Sequence, residues 1–199
     1  CMETRLDHRR SACSNFINKV RSRPGTGVGV VGAKLYYGNG LIQHAGDAVG
    51  PGGCADHLHN GLSANDPGYQ RRAVSAQELS AVTAACLLTH KDLYLALGGL
   101  DETHLPIAFN DVDYCLRVRE AGWRVIWTPF AELYHHESIS RGKDVSTQQQ
   151  RRAKSELRYM KRRWAHVLNH DPAYNPNLSY ERPDFSLSRA PNMVLPWMN

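Results

Sequence analysis

The sequence predicts an α/β fold, because segments typical of strands alternate with segments typical of helices along its 199 residues. The apolar, β-branched run over 28–37 is typical of a buried strand. The spacing of Ala153, Leu157, Met160 and Trp164 is typical of an amphipathic helix. With 42% hydrophobic residues the chain can bury a core, and its length suits one domain or a large piece of one.

Before residue 91 the pattern predicts, in order, a helical lead-in, a hairpin, a long loop and a second buried strand. Their bounds are 1–24 (with a short helix around 14–20), 28–46 with a turn at 38–40, 47–78, and 80–90. The turn is predicted from Gly-Asn-Gly, a strong hairpin signal. A connection as long as 47–78 inside one domain is usually functional or mobile.

Beyond that point the pattern predicts two helices, a strand, a third helix and a tail. Their bounds are 91–97, 110–121, 123–129, 148–164 and 171–199. Asn110 is the expected N-cap of the second helix and Gly122 its C-terminal glycine. Pro129 is expected to stop the strand. We therefore divide the chain into a lead-in, a main α/β part, a basic amphipathic helix, and a Pro-rich tail that is either wrapped on the body or mobile. These parts cover 1–24, 25–145, 146–170 and 171–199.

The net charge of +5 is concentrated on one element. Residues 148–164 hold seven Lys or Arg and one Glu, so the rest of the chain is nearly neutral. One basic helix without interleaved aromatic residues or a recognised module is poor evidence for nucleic-acid binding. The helix can contact an anionic membrane surface or dock its apolar stripe on the domain, and we favour docking.

The cysteines and the N-terminus predict a cytoplasmic location. Five widely spaced cysteines suit free thiols in a reducing compartment. No apolar signal core opens the chain, and no run of about 18 apolar residues exists to cross a membrane.

Asp111 and Asp113 open the second predicted helix. A carboxylate in the first turn is stabilised by free N–H groups and by the helix dipole, by about 0.3–1 kcal/mol. Such a group stays ionised near neutrality, as a proton acceptor must. Because Asp113 lies about 200° further round the helix, the two carboxylates cannot face one atom. The alternative interpretation is that both only cap the helix.

Two groups of histidines are candidate metal ligands. His135 and His136 follow the strand after this helix, and at most one of them faces the same cleft unless the backbone bends. We expect this imidazole and the Asp111 carboxylate to converge on one site, although a lone histidine is more often packed or on the surface. Cys54, His57 and His59 are a weaker zinc candidate, since a fourth ligand at a recognised spacing is lacking.

Taken in order, three segments resemble the C-terminal half of family 2 glycosyltransferases of the GT-A type. They are GVVGAKLYYGNGLIQHAG, AVTAACLLTHKDLYLALGGLDE and FNDVDYCLRVREAGWRVIWTPFAELYHHES, and the match covers about residues 14–141. The similarity is greatest to bacterial enzymes that extend rhamnose-containing or O-antigen-type polysaccharides. It implies a partial GT-A fold, a mixed sheet with flanking helices.

The resemblance also implies a mechanism and residue roles. Such enzymes move a sugar from a nucleotide diphosphate to an acceptor hydroxyl with inversion, while a carboxylate takes the hydroxyl proton. The family's Glu-Asp motif falls on Asn110-Asp111, which makes Asp111 the base, and the asparagine is a departure. The family's metal-contacting histidine falls on His135, with His136 the alternative. Expected acceptor-side residues are Asn110, Asp113, Gly99, Asp101, Glu102 and Trp127.

The family's N-terminal, nucleotide-binding half, with its Asp-x-Asp metal motif, is not found in this sequence. We therefore expect a fragment or truncated relative with little activity alone, and a divalent metal (Mn²⁺ or Mg²⁺) only together with that half. The expected partners are a nucleotide-sugar donor and a glycan or lipid-linked acceptor, at the inner face of the membrane. Missing sheet strands would expose an edge, so self-association is also expected. The competing interpretation is a non-catalytic module that binds glycan or a protein partner.

Overall fold

The computed structural model describes residues 2–4, 27–136 and 146–190. The helix predicted around 14–20 and the last residues of the predicted tail, 191–199, lie outside them. Eight strands and four α-helices are described. The strands are β1 (Met2–Thr4), β2 (Val28–Tyr36), β3 (Ile42–His44), β4 (Asp47–Val49), β5 (Ala55–His57), β6 (Gln77–Glu78), β7 (Leu87–Thr89) and β8 (Arg124–His135). The helices are α1 (Lys91–Ala96), α2 (Asn110–Glu120), α3 (Thr147–Arg163) and α4 (Ala165–Asn169).

The main sheet is mixed, which confirms the predicted α/β class with a mixed sheet and flanking helices. Strands β2 and β8 run parallel at its centre, with Val30 opposite Val125 and Tyr36 opposite Tyr134. The edge of β8 that faces away from β2 pairs antiparallel with β6 and β1. The edge of β2 that faces away from β8 pairs antiparallel with β7 and β3. Strands β4 and β5 form a separate two-stranded sheet.

The predicted hairpin is confirmed. Strand β2 turns through 37–41 into β3, and Gly40 adopts a φ of 83° that favours glycine. Gly32 in β2 allows a close approach, because a Cβ there would lie 2.5 Å from the Cβ of Val82. The segment that contains Val82 is thereby packed directly on the central strand.

The second buried strand predicted over 80–90 is wrong in extent. Only Leu87–Thr89 is a strand, and Ala84–Cys86 form a 3-10 turn. The hydroxyl of Thr83 accepts the N–H of Ala85 at 3.3 Å, and the N–H of Ala84 goes to the Asp111 carboxylate. Side chains thus take N–H groups that a continuous strand would have paired with the sheet.

The strand predicted over 123–129 continues through Pro129 to His135. Its pairing with β2 jumps from Trp127 opposite Gly32 to Glu132 opposite Lys34. Proline is tolerated within this irregularity because the ladder is already interrupted there. The loop predicted over 47–78 is also more structured than expected, because it contains β4, β5 and β6.

The helices follow the sequence pattern closely, with one correction. Gly98 and Gly99 close α1 at positive φ, and Gly122 follows α2 in the same way, both as predicted. Asn110 is not the N-cap of α2, because Phe109 occupies that position with a φ of 62° and Asn110 is already helical. Helix α3 begins with a capping box between Ser146 and Gln149.

The apolar stripe of α3 docks on the body of the domain. Met160 and Trp164 are buried in the main hydrophobic cluster, together with Leu168 of α4. The tail is wrapped on the body over 171–190, where Tyr174 and Leu178 are buried. In the part of the chain that the structure describes, no helix is long and apolar enough to span a bilayer.

Candidate functional site

Asp111 lies in the first turn of α2 and links that helix to the turn after Val82. Its Oδ2 accepts the hydroxyl of Thr83 at 3.2 Å and the N–H of Ala84 at 2.9 Å. Its Oδ1 accepts the N–H of Val112 at 2.9 Å, within its own helix. Asp111 therefore accepts one N–H group of its own helix and also fixes a second segment, and its side chain remains half-buried.

A buried histidine–carboxylate cluster lies beside this segment. The Oδ1 of Asp47 is 2.6 Å from the Nδ1 of His57 and 3.4 Å from the Nδ1 of His44. The two Nδ1 atoms are 3.0 Å apart. His44 ends β3, and the antiparallel pairing of β4 with β5 sets Asp47 opposite His57. We call these three residues the His-Asp-His cluster.

The cluster carries charge in spite of its burial. Burial opposes ionisation of Asp47, but the charges and hydrogen bonds of His44 and His57 outweigh it and hold the pKa of Asp47 well below its usual range. Burial also lowers the pKa of His57, yet the hydrogen bond and charge of Asp47 raise it to about 9. The negative charge of Asp111 acts in the same direction, which places Asp111 within electrostatic reach of His57.

Thr83 connects Asp111 to the cluster. Its hydroxyl lies 3.2 Å from the Asp111 carboxylate, and its backbone N–H points to the Nε2 of His44 at 3.5 Å. A line of polar groups therefore runs from the start of α2 to His57, the one member of the cluster that is not buried.

His57 lies in the wall of a cleft of about 560 Å³ between the 56–69 region and the tail. The ring of Tyr69 stacks on Phe185 with centroids 4.7 Å apart, and His59 stacks on Phe185 at 4.8 Å. Tyr69 is 40% exposed. Asp56 and Asn60 add polar groups to the same wall, so the cleft combines aromatic surface with hydrogen-bonding side chains.

The predicted metal histidines both lie beside the hairpin of β2 and β3. The Nδ1 of His135 lies 3.0 Å from the Oε1 of Gln43, and exposed His136 lies beside Gly38 in the hairpin turn. Thr83 links Asp111 to His44, and the charge of Asp111 acts on His57. In the described part of the chain, the His-Asp-His cluster is the one group of three or more candidate ligands, and His135 is not a member of it.

Three predicted acceptor-side residues line a different cleft, of about 680 Å³. They are Gly99, Asp101 and Glu102, and Asp111 is not in the wall of this cleft. Asp101 accepts the hydroxyl of Tyr159 in α3 at 3.0 Å and pairs with His104. Burial opposes ionisation of Asp101, but the hydrogen bonds from His104 and Tyr159 together outweigh it and lower the pKa of Asp101.

The remaining predicted residues lie in or next to the core. Asp113 is fully buried, and it accepts the indole N–H of Trp164 at 2.9 Å and the guanidinium of Arg117 at 2.7 Å. Trp127 is fully buried and donates its indole N–H to a backbone carbonyl of β2 at 3.2 Å. Because neither side chain is exposed, neither can contact a sugar acceptor, and both stabilise the fold. Asn110 is half-buried at the start of α2.

The structure does not assemble the zinc candidate that combined Cys54, His57 and His59. Cys54 is buried, and burial raises the pKa of its thiol to about 12. Sequence reasoning missed His44 and Asp47 as partners of His57. The sequence signal for their proximity was Gly46, because a glycine between His44 and Asp47 allows the chain to turn there. In the structure Gly46 has a φ of 94° and connects β3 to β4.

Comparison with known proteins relates this chain to proteins of polysaccharide synthesis. It is 53% identical to an uncharacterised protein, y4gI, of Sinorhizobium fredii over 162 residues, which are 81% of this chain and 18% of that protein. It is 34% identical to the O-antigen biosynthesis protein RfbC of Myxococcus xanthus over 168 residues, 82% of this chain and 12% of that protein. A third relative is the N-acetylglucosaminyl-diphospho-decaprenol L-rhamnosyltransferase of Mycobacterium tuberculosis, 31% identical over 78 residues, 39% of this chain and 25% of that protein.

The chain thus spans a quarter or less of these curated relatives. No family model and no solved structure matches it. The names of the relatives support a glycosyltransferase-like relationship, and the mixed α/β architecture is compatible with one.

Proposed function

We propose that this chain is the acceptor-side part of an inverting family 2 glycosyltransferase of the GT-A type, in which Asp111 is the general base. The observation that carries the proposal is the placement of the Asp111 carboxylate. A carboxylate accepts about four hydrogen bonds, and contacts from the described residues use three of them at Asp111. The described residues leave one acceptor position on Oδ1 unused, and we propose that the substrate hydroxyl binds there.

The proposed reaction uses this position directly. The acceptor oxygen attacks the anomeric carbon of a nucleotide-diphospho-sugar while the bond to the diphosphate breaks in line, and the hydroxyl proton passes to Asp111. The carboxylate lies in the first turn of α2, where free N–H groups and the helix dipole stabilise negative charge. The bonds from Thr83 and Ala84 fix its orientation, which a positioned base requires. The relatives named for O-antigen synthesis and rhamnosyl transfer support this substrate class.

The partners of this reaction are proposals too. The donor is a nucleotide-sugar, and the acceptor is a glycan or a lipid-linked glycan. We expect Mn²⁺ or Mg²⁺, with His135 as one ligand, only together with an Asp-x-Asp segment that supplies the others.

The test measures the release of nucleoside diphosphate from a panel of nucleotide-sugars. The protein used is this chain expressed together with any sequence that its reading frame encodes upstream of Cys1. Asp111→Asn keeps the shape of the side chain and removes the base, so we expect a rate loss of about 10²–10⁴-fold. Asp92→Asn is the matched control, because Asp92 is an exposed aspartate in the first turn of α1. Equal rates for Asp111→Asn and wild type would refute the base assignment.

The exposed ring of Tyr69 favours a second candidate, a glycan-binding module without catalysis. Aromatic faces offer apolar area with a polar rim, which suits a sugar ring. This candidate predicts that residues 1–199 alone bind polysaccharide fragments, that Tyr69→Ala weakens this binding, and that Asp111→Asn leaves it unchanged. Calorimetry with O-antigen-type oligosaccharides distinguishes the two candidates.

A further inference from the structure

We propose that His44, Asp47 and His57 form a binding site for one divalent transition-metal ion, with Zn²⁺ the preferred class. This site is separate from the metal position that the resemblance implied at His135, and it does not depend on the proposed transferase activity. Its ligands come from β3, β4 and β5, so an ion here ties the end of the hairpin to the small second sheet.

The donor set matches this class of ion. Two imidazoles and one carboxylate are ligands that Zn²⁺ accepts at about 2.0–2.2 Å, and three protein ligands with an open fourth position are typical of non-structural zinc sites. Ligand atoms around a tetrahedral ion lie about 3.3 Å apart at those bond lengths. The three facing atoms of the cluster lie 2.6, 3.0 and 3.4 Å apart. Binding an ion therefore requires the Asp47 and His57 atoms to separate by about 0.7 Å, and the others to move by about 0.3 Å or less.

Metal binding is an alternative to hydrogen bonding for these three atoms. A proton lies between two atoms at a time, whereas here each of three atoms is within hydrogen-bonding distance of the other two. If both Nδ1 atoms carried protons, two donors would be only 3.0 Å apart. A cation at the centre attracts all three lone pairs at once, which removes this conflict.

The surroundings favour a single, defined ion. His44 and Asp47 are buried, and the pairing of β4 with β5 fixes Asp47 opposite His57 before any ion arrives. The half-buried His57 in the cleft wall provides an entry path. A bound ion would have one position left over from the three protein ligands, which a water molecule or an oxygen of a bound ligand could fill.

Metal binding has a distinct consequence at Thr83. A neutral imidazole that binds metal through Nδ1 carries its proton on Nε2. The Nε2 of His44 would then stop accepting the Thr83 N–H, a contact that is already long at 3.5 Å. Occupancy of the site is therefore expected to shift the amide resonance of Thr83, whose hydroxyl contacts Asp111.

The experiment is a titration of the chelator-treated 199-residue chain with Zn²⁺ by calorimetry and with Co²⁺ by visible absorbance. We expect one ion per chain. Loss of outer partners of a metal ligand alone costs 10–100-fold in affinity, so His57→Ala is expected to cost at least about 100-fold. Asp47→Asn is the second variant. His104→Ala is the matched control, because it removes an exposed histidine that also lies 3.0 Å from a carboxylate.

The titrations of wild type and the variants decide whether the cluster binds metal. One ion per wild-type chain, with loss in His57→Ala and retention in His104→Ala, supports the site. Wild type that binds no ion, or binds it equally well in His57→Ala, overturns it and leaves a hydrogen-bonded cluster only. If buried Asp47→Asn does not fold, the partly exposed His57 still allows the test, and circular dichroism verifies that His57→Ala is folded.

Discussion

Replacement of Glu156 by glutamine tests whether α3 holds the loop that leads into Asp111. Glu156 is 1% exposed, and its two oxygens accept the N–H groups of Ile107 at 3.1 Å and Ala108 at 3.3 Å. Glutamine keeps the shape but has one oxygen, so its amide nitrogen would face one of these N–H groups. A buried group left without its partner costs about 1–3 kcal/mol.

For a chain of this length, each kcal/mol lowers Tm by about 2–4 °C. We therefore expect Glu156→Gln to melt about 2–12 °C below wild type in a calorimetric scan. Glu120→Gln, at the exposed end of α2, is the matched control and should stay within about 0.5 kcal/mol of wild type. Hydrogen exchange at Ile107 and Ala108 should accelerate in Glu156→Gln. Equal melting of the two variants, with unchanged exchange, would refute the anchoring role.

Two further predictions concern the packing around the site. Asp171→Asn is expected to destabilise the chain by about 1–3 kcal/mol, because Asp171 accepts the hydroxyl of Ser80 and two backbone N–H groups and an amide cannot accept at both of its ends. Urea denaturation against the exposed Asp184→Asn measures this difference. Gly46→Ala is expected to cost more than about 3 kcal/mol, since a φ of 94° is combined with a Cβ only 2.0 Å from Leu79; a melting curve like that of wild type would contradict it.

Local signals predicted the elements that depend on neighbouring residues. The Gly-Asn-Gly turn, the glycines that end α1 and α2, and the apolar stripe of α3 are all encoded within a few residues, and the structure confirms them. The predicted strand over 80–90 failed because its outcome depends on a distant side chain. Asp111 takes the N–H of Ala84, and the strand is reduced to its last three residues.

The candidate site shows the same limit. Asp111 was identified from the start of its helix, which is a local feature. Its histidine neighbours depend on how β3 and the β4–β5 hairpin pack against the turn at Thr83, which no spacing along the chain reveals. His135 was instead chosen by resemblance, and the structure gives it Gln43 as a partner.

Helix α3 is part of the site architecture, which bears on how the chain can meet a membrane. Glu156 holds the loop before Asp111, and Trp164 donates its indole N–H to Asp113, two residues further along α2. Lifting the apolar stripe of α3 into a bilayer would break both contacts and free the start of α2. Membrane contact through that stripe is therefore incompatible with an ordered Asp111. Contact through the exposed arginines on the opposite face, such as Arg158 and Arg162, leaves these bonds intact, so it should depend on salt and on anionic lipid without disturbing the site.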